Sequence, residues 1–219
     1  MEILFKVILL IHIVCGTTGL LTGSLNIIRK KGDKKHKIIG NVFAWSMLCG
    51  GFSALILSIL HPNYFLFIIG IFTIYMVGTG KRYVYLKLLG SSQKPDFIDW
   101  LLTGVMLITG LTLVVLGINM LLSQKTFGLV LIVFGFFSLL FVRVDFKNYR
   151  GKSQIKNYWL ITHLQRMIGA YIAAFTAFLV VNAHLIPIVL PSVFAWLLPT
   201  FVLTPVIINW SRKYAVKKS

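Results

Sequence analysis

Long apolar stretches, most of them close to twenty residues and separated by short polar loops, recur along the whole chain. A hydrocarbon layer about 30 Å thick needs about 20 apolar residues for one helix to cross it. Backbone polar groups find no water in that layer, so each stretch is expected to be an α-helix. The pattern predicts seven membrane spans, at about residues 7–28, 38–60, 64–80, 98–122, 127–142, 159–182 and 192–210.

The composition agrees with a membrane protein and excludes an ordinary soluble domain. Hydrophobic residues make up 58% of the chain and charged residues only 12%, whereas soluble domains carry about 25% charged residues. Seven spans with short loops use up nearly all of the 219 residues. The predicted fold class is therefore all-α, a polytopic transmembrane helix bundle, with residues 1–219 forming one transmembrane domain.

The distribution of positive charge predicts the orientation of the bundle. All but three of the 22 Lys and Arg residues follow spans one, three, five or seven; the exceptions are Lys6, Lys125 and Arg166. Cytoplasmic loops of membrane proteins carry the excess of Lys and Arg, so we expect the amino end outside and the carboxyl end in the cytoplasm. The net charge of +17 is then explained by topology and by attraction to anionic lipids, and we expect no nucleic-acid binding.

The sixth predicted span carries two polar side chains that are costly in lipid, His163 and Arg166. An arginine near the centre of a membrane helix costs about 2.5 to 3.5 kcal/mol on translocon scales, and such residues usually face the bundle interior or a watery cavity. The two side chains are three residues apart and so share one face of a helix. This face predicts the floor of a polar pocket in the cytoplasmic half of the membrane.

Other polar residues are expected near the same pocket. His36 comes two residues before the second span, and Tyr75 and Arg82 share one face near the end of the third. Together with the sixth span they predict a ligand-binding site for a small anionic or amphiphilic molecule, such as a carboxylate, a phosphate or a lipid headgroup. In the alternative interpretation, the loop cations only follow the positive-inside rule.

The partner of Arg166 is left open by the sequence. Tyr75, Asp145 or a backbone carbonyl of a neighbouring helix could satisfy its guanidinium in place of a ligand. The fifth span is expected to end near Val142, with Arg143 and Asp145 following it in a polar segment. The last span contains Pro199 and Pro205, so we expect it to be kinked or locally unwound. 

A second intramembrane histidine, His12, lies on a different helix. It is followed by Gly16, Gly19 and Gly23 at steps of four, three and four residues, which places all of them on one helix face. Small residues spaced in this way allow close approach of another helix. We expect the His12 imidazole to be hydrogen-bonded to a neighbouring helix.

Two further functional classes stay open. Intramembrane histidines are chemically suited to a redox protein with haem b or quinone, although His12 and His163 are expected about 15 Å apart in depth, in opposite leaflets. A structural subunit that assembles with a membrane partner is the third class. No catalytic residue is assigned, and Cys15 and Cys49 form no C-x-x-C motif, so no metal site is predicted.

Several short motifs resemble those of a known family. The motifs are His12 with the glycine stripe, Lys31-Gly32, His36-x-x-x-Gly40, Tyr75 with Gly80-x-Arg82, and His163-x-x-Arg166-Met167. In these motifs the chain resembles an uncharacterised family of bacterial polytopic inner-membrane proteins, classified as a domain of unknown function. The resemblance covers most of the chain. It implies a multi-pass protein of the bacterial inner (plasma) membrane and assigns no activity.

Overall fold

The computed structural model describes residues 2–185 and 192–217, and these residues form helices joined by short loops. The helices are α1 (Glu2–Ile28), α2 (Lys34–Leu60), α3 (Tyr64–Tyr83), α4 (Phe97–Leu122), α5 (Phe127–Tyr149), α6 (Tyr158–Val181) and α7 (Ser192–Tyr214), with a single 3-10 turn at Ala183–Leu185. The all-α prediction is confirmed.

Six helices in the described part of the chain, α1 to α6, are long and apolar enough to cross a membrane. Their outer faces carry large apolar side chains that would be costly to expose to water, among them Ile3, Leu10 and Leu21 on α1. A surface of this kind is stable against lipid. The chain is therefore a multi-pass membrane protein.

One end of the bundle, which we call the basic end, gathers nearly all of the loop cations. The α1–α2, α3–α4 and α5–α6 loops lie there, together with the carboxyl end of α7. Hydrogen bonds hold the segment after α7 against the α5–α6 loop: Lys156 N donates to Val216 O at 2.7 Å, and Asn157 Nδ2 donates to Tyr214 O at 2.8 Å. These bonds fix the end of α7 beside the start of α6.

Helices α3 and α6 occupy the middle of the bundle. Helix α3 packs against α2, α4 and α6, while α6 packs against α3 and α7 and also contacts α1; α4 and α5 form an antiparallel pair. The main apolar core lies between α2, α3, α4, α5 and α6. Its buried members are Phe43, Ala44, Met47, Phe72, Tyr75, Met76, Val77, Met106, Val142, Ala170 and Ala173.

Helix α5 is longer than the sequence predicted. The predicted end was near Val142, but the helix continues to Tyr149 and includes Asp145. These three residues follow one another at steps of three and four, and all three are buried. The buried face therefore continues past the point where charged residues begin, and Asp145 lies inside the helix rather than in a loop.

Helix α7 runs without interruption through Pro199 and Pro205. The expected local unwinding is therefore absent from this helix, whose backbone is described from Ser192 to Tyr214, while the alternative expectation of a kink stays a prediction. The prolines at 187 and 191, which lie in the sequence between the sixth and seventh predicted spans, are outside the described residues.

Candidate functional site: a cationic cavity and the ion pair beside it

Arg166 is fully buried and is paired with an acidic residue. The side chains of Arg166 and Asp145 are 1% and 0% exposed, and Arg166 Nη2 donates to Asp145 Oδ1 at 2.8 Å. The same nitrogen donates to the carbonyl oxygen of Phe141 at 2.9 Å. The guanidinium carbon also lies 4.3 Å from the ring centre of Phe141 and 4.8 Å from that of Tyr75. The arginine is therefore paired with groups of the protein through Nη2, while its Nε is buried without a hydrogen-bond partner among the described residues.

Asp145 accepts hydrogen bonds from three further side chains. The hydroxyl of Tyr75 donates to its Oδ2, the hydroxyl of Tyr83 donates to its Oδ1 at 2.8 Å, and Thr103 Oγ1 donates to Oδ2 at 3.3 Å. The donors come from α3 and α4, and the paired arginine comes from α6. Through these contacts the buried carboxylate of Asp145 ties four helices together.

The network continues toward the basic end. Asn148 Nδ2 donates to Tyr83 Oη at 3.3 Å and to Thr162 Oγ1 at 3.2 Å, and the hydroxyl groups of Thr103 and Tyr149 are 3.1 Å apart. Sequence reasoning did not assign roles to these side chains. For the residues on α5, a signal was present in the sequence. Val142, Asp145 and Tyr149 follow one another at steps of three and four, and this spacing continues one helix face past Arg143, the first charged residue of α5.

Arg82 is also paired with carboxylates. Its Nε donates to Asp99 Oδ1 at 2.7 Å and its Nη2 to Asp99 Oδ2 at 2.8 Å, and it forms a further ion pair with Asp96. The Asp96 backbone N–H donates to Asp99 Oδ2 at 2.8 Å. The fork-shaped contact joins the end of α3 to the start of α4. The carboxylate of Asp99 thus accepts hydrogen bonds both from the Arg82 guanidinium and from the backbone N–H of Asp96.

A cavity of about 660 Å³ opens at the basic end. Its walls come from α1, α2, α6 and α7 and from the segment at the end of α3. Six cationic or titratable basic side chains line it, and its described lining contains no carboxylate: Lys31, Lys37, Lys81, Lys87, His36 and His163. Apolar and aromatic side chains form the rest of the wall, including Phe43, Trp159, Met167, Ile168, Tyr171 and Trp210. The cavity is therefore amphipathic.

The two histidines of the cavity are held differently. His163 Nδ1 lies 2.7 Å from the carbonyl oxygen of Gly80, so this nitrogen is the donor and Nε2 is the remaining nitrogen of the ring. His36 Nδ1 is buried and has no hydrogen-bond partner among the described residues, and the same is true of Oδ1 of Asn26. Both of these residues line the cavity. Polar hydrogen-bonding capacity is therefore left over at this wall.

Lys31 closes the carboxyl end of α1 at the edge of the cavity. Its Nζ donates to the carbonyl oxygens of Asn26, Ile27 and Arg29 at 2.6, 2.7 and 2.8 Å. It also lies 4.2 Å from the ring centre of Trp210 on α7. A cation at this position favourably meets the negative end of the helix dipole, although partial burial lowers the pKa of Lys31.

Of the other three lysines of the cavity, two lie over aromatic rings and one is exposed. Lys81 lies 4.3 Å from the ring centre of Trp45, and Lys87 lies 4.8 Å from that of Trp159. Lys37 is exposed on the first turn of α2. None of these three lysines, and likewise not Lys31, forms an ion pair with a carboxylate in the described part of the chain. Their combined field is therefore available to an anion.

The five predicted site residues separate into two groups. His36 and His163 line the cavity, whereas Tyr75, Arg82 and Arg166 are not among its lining residues. The second group contacts the buried carboxylates behind the cavity wall instead. The sequence placed both groups at the same end of the bundle but could not show which side chains face the open space.

Gly80 connects the two groups. Its carbonyl oxygen accepts the His163 hydrogen bond, and a Cβ atom added at this glycine would lie 2.9 Å from Arg166 Cβ. Helices α3 and α6 can approach this closely only because residue 80 has no side chain. A shift of the Arg166–Asp145 ion pair would therefore also move His163 in the cavity wall.

His12 lies apart from this site. Its Nδ1 is 3.1 Å from both Gly50 O and Ser53 Oγ on α2, which is the interhelical hydrogen bond expected from its position. The glycine stripe has mixed surroundings, because Gly19 packs against Met47 while a Cβ added at Gly16 would meet nothing within 4 Å. Within the described residues, no group of three or more His, Cys, Asp or Glu side chains is positioned to hold a metal ion.

The arrangement can bind a charged headgroup and an apolar tail together, because its cations and its aromatic wall belong to one continuous cavity. Its volume is within the range of about 300 to 1,000 Å³ that is usual for small-molecule sites.

Comparison with known proteins adds no information about the ligand of this cavity. No protein-family model, no characterised protein and no solved structure gives a significant match to this chain.

Proposed function

We propose that the chain is a seven-span protein of the bacterial inner (plasma) membrane, with its amino end outside and its basic end in the cytoplasm. The position of the cations at one end of the bundle supports this orientation. The packing of α7 along α6 supports its assignment as the seventh span. The bacterial location follows from the family resemblance described above.

The protein binds a small anionic or amphiphilic ligand in the cytoplasm-facing cavity. The observation that carries this proposal is the lining itself, in which four lysines and two histidines share a wall with aromatic side chains and, among the described residues, with no carboxylate. His36 and His163 contact the ligand. Tyr75, Arg82 and Arg166 act from behind the wall, where they hold the helices that shape the cavity.

The charge of the cavity favours an anion for two reasons. Each lysine near a membrane surface contributes about 1 kcal/mol toward an anionic headgroup, and charges act more strongly next to a low-dielectric wall than in water. Lys37 and Lys87 contact no carboxylate in the described part of the chain. An anionic ligand would therefore not have to displace an existing ion pair at these two lysines.

A titration with dodecyl phosphate tests the proposal. The purified protein is held in dodecyl maltoside, an uncharged amphiphile with the same chain length, and tryptophan fluorescence is followed because Trp159 and Trp210 line the cavity. We expect a saturable change in the wild type. The double variant Lys37→Gln/Lys87→Gln should bind roughly thirtyfold more weakly.

The matched control is Lys94→Gln/Lys152→Gln, which removes the same charge from the same end of the bundle without touching the cavity lining. It should bind as the wild type does. An equal loss in both double variants would mean that the anion binds to the charged surface in general, and the proposed site would then be wrong.

A redox function with haem b or quinone is the second candidate. It is favoured by one observation, that His36 and His163 line a single cavity together with several aromatic rings. Such a cavity offers imidazole nitrogens and flat apolar walls to a planar cofactor. The visible absorption spectrum tests the haem form: a Soret band after haem supplementation that is lost in His163→Ala would favour it, and no band would remove it.

A further inference from the structure

We infer that the ligand of this cavity is an anionic glycerophospholipid from the surrounding leaflet, and that it enters sideways through a cleft between α1 and α7. The inference rests on the proposed anion-binding function and adds the class of ligand and its route. The shared chemistry of the headgroup is an organic phosphate. A membrane lipid and a soluble glycerol phosphate both present it.

The cleft lies between two helices that have little contact with each other. Helices α1 and α7 both pack against α6, but in the described part of the chain no extensive packing joins α1 to α7. At the basic end, Lys31 in the loop after α1 lies over the ring of Trp210 on α7. We call this gap the α1–α7 cleft; Ile27, Leu164, Tyr171 and Trp210 line the cavity along it.

The cavity is as deep as one leaflet of a bilayer. Its lining on α6 runs from Trp159 to Tyr171, and twelve residues of α-helix extend about 18 Å. Half of a hydrocarbon core about 30 Å thick is about 15 Å. A lipid chain could therefore lie along α6 in the same direction as the chains of the surrounding leaflet.

The order of side chains along this depth matches a lipid molecule. Lys37 and Lys87 belong to the first turn of α2 and the segment after α3, where a headgroup would lie. Phe43 and Tyr171 lie deeper along their helices, where an acyl chain would lie. At the deep end, the hydroxyl groups of Ser24 and Tyr171 are 2.8 Å apart and join α1 to α6. A soluble phosphate would contact only the cationic side chains at the basic end of this wall.

The test is a competition followed by native mass spectrometry. The full-length protein is released from nanodiscs that contain equal amounts of phosphatidylglycerol and phosphatidylcholine, and a parallel sample is incubated with glycerol 3-phosphate. We expect at least a fivefold preference for phosphatidylglycerol over phosphatidylcholine. We expect no retained glycerol 3-phosphate, because it lacks the chains that contact the apolar wall.

A substitution at the cleft tests the sideways route. Ile27→Trp adds bulk to the lining of the cleft, whereas Ile28→Trp adds the same bulk at the neighbouring position, which is 84% exposed and is not part of the lining. We expect Ile27→Trp to lower the retained phosphatidylglycerol at least fivefold. Ile28→Trp should leave it unchanged, which also controls for the effect of tryptophan on folding.

The outcomes separate this inference from the proposed function. If glycerol 3-phosphate is retained as well as phosphatidylglycerol and Ile27→Trp has no effect, the lipid inference is wrong and the anion site stands. If neither phosphate is retained, and dodecyl phosphate also fails to bind, both are wrong. If phosphatidylcholine is retained as well as phosphatidylglycerol, the headgroup assignment is wrong.

Discussion

Arg166 shows how a charge inside a membrane bundle can be paired with groups of the protein itself. Its guanidinium has a carboxylate, a carbonyl oxygen and two aromatic faces as partners. In a buried ion pair, desolvation and attraction nearly cancel, so the pair contributes little net stability. Removal of only one partner is strongly destabilising, because the remaining charge stays buried without its partner. The pair is thus a strong constraint on which helices must assemble together.

Single replacement of either partner is expected to destabilise the protein strongly. Arg166→Leu leaves Asp145 buried without its cation, at a cost of about 3 to 5 kcal/mol. The double variant Arg166→Leu/Asp145→Leu removes both charges and should be more stable than Arg166→Leu alone. Thermal unfolding in detergent measures the order of the three proteins. The control is Arg143→Leu, an exposed arginine on the same helix as Asp145.

Two results would contradict this account of the pair. Unfolding of Arg166→Leu at the same temperature as Arg143→Leu would mean that the arginine is not desolvated. A double variant less stable than every other protein of the series would mean that the pair contributes large net stability.

The tyrosine hydroxyls that face Asp145 should each contribute measurably. Tyr83→Phe removes one donor to a charged acceptor, a change worth about 1.5 to 3 kcal/mol in general. The ring remains, and so does its packing with Leu86 and with the stacked ring of Tyr149. Tyr85→Phe is the matched control, because that side chain is 66% exposed. Equal thermal stability of the two variants would show that the Tyr83 hydroxyl does not interact with the carboxylate.

Helix α6 carries two polar side chains, His163 and Arg166, that are three residues apart and have different surroundings. Arg166 points to the buried network, while His163 lies in the cavity wall and bonds to Gly80 of α3. The sequence predicted that both side chains would share a pocket, since residues at i and i+3 lie on one side of a helix. Long side chains can diverge from such a shared face, and only the positions of α3 and α5 determine where each one ends.

The close contact between α3 and α6 predicts the effect of adding one methyl group. In Gly80→Ala the new Cβ would lie 2.9 Å from Arg166 Cβ, so one helix must move. Overpacking of this kind costs about 1 to 3 kcal/mol. In Gly104→Ala the new Cβ meets nothing within 4 Å, and we expect a gain of about 0.5 to 1 kcal/mol from helix propensity.

The same pair of variants also tests the link between the ion pair and the cavity. Because Gly80 O accepts the His163 hydrogen bond, Gly80→Ala should weaken dodecyl phosphate binding as well as lower the unfolding temperature. Gly104→Ala should leave binding unchanged. Normal binding in a destabilised Gly80→Ala protein would show that the two sites are independent.

At the scale of the whole molecule, the hydropathy of the sequence was enough to predict most of the helices. The first six predicted spans all correspond to helices, because twenty consecutive apolar residues have few alternatives in lipid. The packing order was not predictable from one sequence, since helix neighbours depend on interhelical contacts rather than on hydropathy. Asp145 is the clearest example of a contact that hydropathy does not predict. Its charge suggested a loop, but it lies in a helix and pairs with Arg166, which is 21 residues further along the chain.

The number of spans is the property of the whole molecule that a labelling experiment can decide. Residues on opposite ends of the bundle should differ in their reactivity toward a membrane-impermeant thiol reagent. Single cysteines are introduced as Lys125→Cys in the α4–α5 turn, Lys152→Cys in the α5–α6 loop and Lys213→Cys near the end of α7. Cys15 and Cys49 lie within α1 and α2 and are replaced by alanine in all three proteins.

In intact cells we expect labelling of Lys125→Cys alone, and labelling of the other two only after the membrane is permeabilised. Lys152→Cys serves as the reference for the basic end, because the α5–α6 loop carries several cations and should stay in the cytoplasm. If α7 crosses the membrane, Lys213→Cys must behave as Lys152→Cys does. Labelling of Lys213→Cys from outside would mean that the chain ends on the same side as it begins. The chain would then have six spans, and α7 could not form a wall of a cytoplasm-facing cavity.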